Sequence, residues 1–228
     1  WDFDFEHWPT MQLPATWNVR DERLFLYEES VVFARSFRFA RGDERSVMLR
    51  FNAVAYAATV FLNGTYVGSH EGASTPFVVD VTDAIREENR IVVVVENRRR
   101  RDRVPMSNTD WFNYGGIHRS IELLRLPASW VRDFTLALVP GSDFSKLEFA
   151  VSVGGEGGGT VRLEVPELGI DREVEVSGGA GSCELEAKPE LWSPERPRLY
   201  DVRVSRGDHA AVERIGFREI RREGNEII

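Results

Sequence analysis

Thr59-Val60-Phe61-Leu62-Asn63-Gly64-Thr65-Tyr66-Val67 is the stretch that decides the fold. Two runs of β-favouring residues flank an Asn-Gly pair, and Asn-Gly tolerates the left-handed backbone at the centre of a tight hairpin. Upstream, Val31–Phe39 sets Phe33, Phe37 and Phe39 on one face, and Val47–Phe51 follows as a further strand. Downstream, Phe77-Val78-Val79-Asp80-Val81 runs into Thr82-Asp83-Ala84-Ile85, which predicts one helical turn capped by Thr82. Ile91–Val95 is apolar throughout and predicts a buried central strand. No long window carries helical period, so short strands between turn residues predict antiparallel sandwiches.

A second body starts near Pro127. Trp130–Leu138 alternates, and Leu147–Val153, Thr160–Val165, Arg172–Val176, Cys183–Ala187, Leu199–Val204 and Val212–Phe217 follow at regular spacing. That strand number and spacing predict an immunoglobulin-like sandwich. Cys183 is the only cysteine, so the sandwich has no disulfide within the chain. Gly154-Gly155-Glu156-Gly157-Gly158-Gly159 predicts a flexible hairpin loop; a phosphate cradle would need a strand-to-helix context that is missing. The expected fold class is all-β: a jelly-roll-like, galactose-binding-type sandwich over 1–126, then an immunoglobulin-like sandwich over 127–218. Residues 219–228 form a charged tail ending on Ile227-Ile228, with nothing after it to bury the apolar finish.

Composition narrows the function. With 42% hydrophobic and 29% charged residues the chain can bury a core. A net charge of -8 excludes nucleic acid as the main partner, since phosphate binding needs a basic face. The local exception, Arg98-Arg99-Arg100-Arg101-Asp102-Arg103, reads as a solvated loop offset by nearby acids. His7, His70, His118 and His209 carry no paired metal spacing, so neither a metal nor a cofactor is expected. No apolar run approaches the roughly 20 residues of a membrane span, and no signal peptide is visible, so no membrane partner is expected. Trp1-Asp2-Phe3-Asp4-Phe5 already reads as structured, so the chain is expected to be trimmed at its start; localisation stays open, with the cytoplasm slightly favoured.

The chemistry concentrates in Asp110-Trp111-Phe112-Asn113-Tyr114-Gly115-Gly116-Ile117-His118-Arg119. A purely connecting loop favours small polar residues, whereas this one carries an acid, three aromatics and an amide. Such a surface stacks on something flat or packs against another body. Gly115 and Gly116 supply positive φ or close backbone approach. From the residues alone, Asp110 either caps its own turn or offers two carboxylate oxygens to a hydroxyl-bearing ligand.

Four segments, in order and spanning nearly the whole chain, resemble glycoside hydrolase family 2, which includes β-galactosidases, β-glucuronidases and β-mannosidases. Leu13-Pro14-Ala15-Thr16-Trp17-Asn18 resembles the start of the sugar-binding jelly roll. Leu49–Val54 and Val60–Gly64 resemble its central hairpin, with Gly72-Ala73-Ser74-Thr75-Pro76-Phe77 matching after it. Asn113–Arg119 is similar to the β-glucuronidase branch, and Leu191–Tyr200 resembles the signature of the family's immunoglobulin-like domain. Where the family has a Trp-Tyr pair this chain has Phe33-Ala34, which makes a smaller packing contact.

The resemblance implies a (β/α)8 barrel with two catalytic glutamates following the immunoglobulin-like domain, and 219–228 as the linker toward it. It implies retaining hydrolysis of terminal β-linked sugars by the intact enzyme, with carbohydrate and the barrel as partners; self-association is left open, since dimers and tetramers are frequent in the family. The fragment alone is expected to be inactive, because a retaining glycosidase needs two carboxyl groups roughly 5 Å apart, and no acid pair here sits in an apolar enclosure. No nucleophile-elbow sequence exists, and His70 and His118 fall on expected loops without partners. The substrate-binding residues implied are Asp110, reaching across to a sugar hydroxyl, with Trp111, Asn113 and Tyr114; the aromatics either stack on a ring or pack on the barrel. Arg119 is expected to pair with an acid inside the first sandwich, and Trp192 to plug the second core. Asn63-Gly64-Thr65 matches a glycosylation sequon that the hairpin already explains. Two rival readings are a free-standing carbohydrate-binding module with an immunoglobulin-like spacer and a purely structural adhesion module.

Overall fold

The computed structural model of the chain describes residues 4–220 and 222–227. The chain divides into two compact units, residues 1–126 and 127–228.

The first unit runs β1 (Ala15–Thr16), α1 (Trp17–Arg20), β2 (Ser30–Arg38), β3 (Ser46–Phe51), β4 (Val54–Ala55), β5 (Ala57–Leu62), β6 (Thr65–Glu71), β7 (Phe77–Asp80), β8 (Glu88–Glu96), β9 (Gly116–Ile117) and β10 (Ile121–Leu126). Its antiparallel sheets have the orders β2-β8-β5-β6, β10-β3-β7 and β1-β9-β4. β8 lies between β2 and β5, as a central strand should, but it alternates: Ile91, Val93 and Val95 are buried while Val92 and Val94 are half-buried. The run is continuous in apolar character, yet only one of its faces is fully covered. Phe51, Val60, Leu62, Val95 and Ile117 close the core around Trp17, whose ring lies 6.3 Å from that of Phe33.

The hairpin forms as the sequence predicts. Asn63 (φ 52°) and Gly64 (φ 87°) both take left-handed backbone, pairing Leu62 with Thr65. The Asn63 amide donates to Ala84 O at 2.8 Å and Asn89 Oδ1 at 3.0 Å, and its oxygen accepts from Arg90 N at 2.9 Å. This amide bolts the turn to the β7–β8 connection. The turn at 82–85 differs from expectation. The Ala84 and Ile85 amides donate to Val81 O, Asp80 Oδ1 caps Thr82 N at 2.9 Å, and Thr82 Oγ1 instead accepts from Val47 N at 3.0 Å. A carboxylate is the stronger acceptor and outcompetes the hydroxyl for the cap.

The second unit runs β11 (Ser129–Leu138), β12 (Lys146–Gly155), β13 (Gly159–Val165), β14 (Ile170–Val176), β15 (Ala180–Glu186), β16 (Tyr200–Arg206), β17 (His209–Ile215), β18 (Arg222–Glu223) and β19 (Glu226–Ile227). The sheets β11-β12-β15 and β14-β13-β16-β17 enclose Leu147, Phe149, Leu163, Val165, Val202 and Val204. β18 and β19 pair as a short ribbon.

Two expectations fail here. Trp192 does not plug the core: it is half-buried at the margin, its backbone amide donating to Phe217 O at 2.7 Å and Arg218 5.5 Å from its ring. The buried tryptophan is Trp130, and a Cβ on Gly154 would lie 2.1 Å from its ring. The glycine run is therefore no uniform flexible loop: Gly154 and Gly155 belong to β12 and sit under Trp130, where only glycine fits. Of the opening run, Trp1 and Phe3 lie outside the described residues, as do Ile228 and the side chain of Ile227; Phe5 is half-buried, with Arg90 4.8 Å from its ring.

Candidate functional site

Nineteen residues without regular structure separate β8 from β9 (97–115), and they are held at both ends and in the middle. At the ends, Asn97 and Asn113 exchange bonds: Asn97 Nδ2 donates to Asn113 O at 3.0 Å, and Asn113 Nδ2 donates to Asn97 O. Both asparagines are buried. This pairing satisfies backbone carbonyls that no strand partner reaches, which is what buried irregular backbone requires.

The far end closes on α1. Asn18 Oδ1 accepts from Gly115 N at 2.8 Å, while its amide donates to the carbonyls of Leu24, Phe25 and Tyr27. Trp17, with 0% exposure, donates from its backbone to Gly115 O at 3.1 Å. A Cβ on Gly115 would lie 2.0 Å from the Trp17 ring, and one on Gly116 would lie 2.3 Å from Ala15 O. Of the two functions expected for this glycine pair, close approach governs Gly115; Gly116, at φ 146°, combines it with positive φ.

The arginine run supplies the middle. Arg98, Arg100 and Arg101 are exposed and the run is offset by acids, as expected of a solvated loop; Arg99 and Arg103 depart from that by turning inward. Arg103 is only 6% exposed and donates to Glu96 Oε1 at 2.6 Å and Glu71 Oε1 at 2.8 Å. The bond from Arg103 holds the Glu96 carboxyl below its usual range, against the opposing effect of burial. Arg98 pairs with Glu29. Arg99 grips Glu28 through Nε at 3.0 and 3.1 Å and reaches the carbonyls of Thr109 and Trp111, the latter at 2.9 Å. Arg101 alone of the five arginines in this run is exposed and without a described bond.

Against this fixed backing, three of the expected site residues face outward. Asp110 is exposed, and among the described residues its carboxylate has no hydrogen-bond or ion-pair partner. Trp111 is 61% and Tyr114 48% exposed. Phe112 turns back toward the protein, its ring 5.0 Å from Phe25 and 4.7 Å from Tyr114. Phe25 and Leu26 are exposed as well, so the loop and the segment after α1 share an apolar surface. Asn113 is the exception among the four: it points inward, and its amide is occupied by Asn97. Arg119 is exposed rather than paired inside the sandwich; Arg103 fills that role. His70 lies within β6, not on a loop, stacked on Phe77 at 4.6 Å with Nε2 2.9 Å from Thr75 Oγ1. His118 follows β9, and burial lowers its pKa; its Nε2 is among the buried polar atoms without a partner in the described residues, with Asn97 Oδ1 and Thr16 Oγ1. Among those residues no group of three His, Cys, Asp or Glu side chains could hold a metal ion.

Residues 2–127 match the sequence model for the sugar binding domain of glycosyl hydrolases family 2, and residues 135–218 match a second model of that family. The chain belongs to glycosyl hydrolase family 2. It matches the N-terminal domains of β-glucuronidase- and β-galactosidase-type members. The β-glucuronidase of Rattus norvegicus is 26% identical over 240 residues, covering 88% of this chain and 36% of that protein. A β-galactosidase from Thermoanaerobacter pseudethanolicus is 28% identical over 226 residues, covering 89% of this chain and 30% of its own length. The chain thus spans about a third of these relatives. Among solved structures, a family 2 β-galacturonidase from Eisenbergiella tayi bound to galacturonate matches with a TM-score of 0.75 and 26% identity over 96% of this chain and 40% of that one. The Bifidobacterium dentium β-glucuronidase, with a TM-score of 0.80 at 24% identity, shares the fold over 96% of this chain and 44% of its own.

Family membership gives the loop's construction a context. Asn18 and Trp17, which hold its far end, lie in one of the segments that carry the family resemblance, so that resemblance was the available signal for them. Asn97, Arg99 and Arg103 had none, because their partners Glu28, Glu71 and Asn113 are remote in sequence or set within a loop.

Proposed function

We propose that this chain is the non-catalytic front portion of an exo-acting family 2 β-glycosidase. It supports and partly walls the active site, while the acid and nucleophile of a retaining double displacement come from polypeptide outside this sequence. In this reading Asp110 accepts a hydrogen bond from a hydroxyl of the terminal sugar, and Trp111 and Tyr114 pack against the catalytic body. Asn113 contributes by holding the loop rather than by touching sugar. Residues 219–228 form the connection toward the catalytic body.

The observation that carries the proposal is the contrast between the loop's two sides. Its backbone is fastened from behind by Arg99, by the Asn97–Asn113 exchange and by Asn18, while Asp110, Trp111 and Tyr114 are left exposed, Tyr114 resting by one side of its ring on Phe112. A loop ordered for its own sake would turn its aromatics inward; one ordered to present groups to a neighbour has this form. The aromatic exposure also fits the carbohydrate-binding reading, since a flat ring suits a sugar face.

Asp110→Ala in the intact polypeptide is expected to reduce kcat/KM for an aryl β-glycoside by roughly 1.5–3 kcal/mol, the scale of a hydrogen bond to a charged group. Unchanged kcat/KM removes the assignment. Calorimetric titration of this chain with monosaccharides separates the two readings: silence fits a supporting body, and millimolar or tighter binding fits a binding module.

A further inference from the structure

Arg99 touches the loop at the two residues that bracket Asp110. One guanidinium nitrogen donates to Thr109 O and another to Trp111 O at 2.9 Å, so the carbonyls of the residue before Asp110 and of the residue after it are held by one planar group. Its Nε is in turn seated on Glu28, at 3.0 Å from Oε1 and 3.1 Å from Oε2. The Arg99 side chain is half-buried, with its arm to Trp111 O on the exposed side. Glu28 lies two residues before β2, and the carbonyl of the neighbouring Glu29 accepts from Asn97 N at 3.3 Å, so the seat stands outside the loop in the segment that leads into β2.

We propose that Arg99, seated on Glu28, is the positioning residue for Asp110. It fixes the direction in which the carboxylate leaves the loop without itself meeting the ligand. This inference rests on the functional reading of Asp110 given above. Arginine suits the task because its donors are spread across a rigid plane that spans two carbonyls and a carboxylate together; a lysine ammonium is a single point and cannot.

Two measurements test it. The first needs no activity: amide hydrogen exchange in this chain over 107–114, compared between the parent, Arg99→Lys, Glu28→Gln and the exposed-site control Arg101→Ala. Arg99→Lys and Glu28→Gln are expected to speed exchange in that segment by about 10-fold or more while the strand segments and the control stay unchanged. Equal exchange in all four overturns the clamp. Acceleration spread evenly through the unit also overturns it, because that is global destabilisation.

The second is a double-mutant comparison of kcat/KM in the intact polypeptide, using an aryl β-glycoside. Arg99→Lys is expected to cost about 10- to 100-fold, the scale of displacing a reacting group by about 1 Å. In an Asp110→Asn background it should cost almost nothing, since its effect runs through Asp110. An equal loss in both backgrounds refutes positioning. If loop exchange responds but Asp110→Asn alone leaves activity intact, the functional reading of Asp110 fails, and with it the positioning role, while Arg99 stands as a loop-ordering group.

Discussion

The two sandwiches solve the same packing problem with different interiors. In the first, Asn18, Asn97, Arg103 and Asn113 are buried and serve the segment between β8 and β9, while the buried Glu44 and Asn89 brace the β2–β3 and β7–β8 connections. In the second, Arg206 is the buried charged residue among those described, and the centre is made of Leu147, Phe149, Leu163, Val202 and their neighbours. A sandwich therefore does not need buried polar side chains to close. Where they gather they support irregular backbone that has lost its ladder partners, and a fold keeps such a segment at cost only where something uses it. The asymmetry is the physical reason for placing the proposed site in the first unit.

The largest expected effect lies in the second unit. Phe149 is fully enclosed, its ring 6.5 Å from that of Phe134. Phe149→Ala should lower that unit's stability by about 3–5 kcal/mol in urea titration, the usual cost of emptying an aromatic site. Exchange over 107–114 should not move. A loop that loosens in step with this core would mean that its order is borrowed from the second unit, and the contrast between the interiors would lose its functional meaning.

Asn113→Ala is the matching test in the first unit, with a smaller effect. It strips the donor from Asn97 O in a buried setting. The expected cost is about 1–3 kcal/mol, the penalty of an unsatisfied buried group, with exchange rising first in the loop. A stability change below about 0.5 kcal/mol would show that water replaces the amide easily and that the exchange between asparagines does not hold the loop.

These two tests also mark where sequence reasoning worked. The hairpin at Asn63-Gly64 was legible because its cause is local: two positive-φ positions filled by the two residues that tolerate them. The strands of the second unit were legible because alternation and turn spacing are local as well. The arginine run was legible only in part. Its exposed, acid-offset members Arg98, Arg100 and Arg101 fit the expectation, while the inward turn of Arg99 and Arg103 was missed because charge density is local and ion pairing is not. Glu28 and Glu29 lie about 70 positions before Arg99 and Arg98, and Glu71 lies 32 before Arg103. Trp192 and Trp130 carry the same ambiguity. Each stands beside strand-like sequence and each has a glycine against its side chain, Gly154 at Trp130 and Gly216 at Trp192, so only the three-dimensional packing decides which ring is enclosed. Of the site, the outward acid and aromatics could be named from composition; the inward turn of Asn113 could not, because an asparagine suits a ligand and a carbonyl equally.

The smallest effect is one that the two units share, which makes it the sharpest control. Burial pushes the pKa of His118 in the first unit and of His209 in the second below the ordinary value. His209 Nδ1 accepts from Val131 N at 3.3 Å, and a ring nitrogen can accept only while unprotonated. In each case the unfolded chain, titrating near 6.5, takes up its proton before the native state does. Stability should thus fall as pH drops through about 6.5 and level off once the native pKa is passed. Glu96, held low by Arg103, contributes stability that is lost at more acid pH, as pH falls through the ordinary carboxylate range toward its lower native pKa, so the two effects separate. Urea midpoints read by hydrogen exchange for each unit between pH 7.5 and 5.5 should therefore decline in both. His118→Gln should flatten the decline in the first unit alone, and His209→Gln in the second alone. If either substitution flattened both, the units would be unfolding as one body, and the separate interiors could no longer be credited with separate tasks.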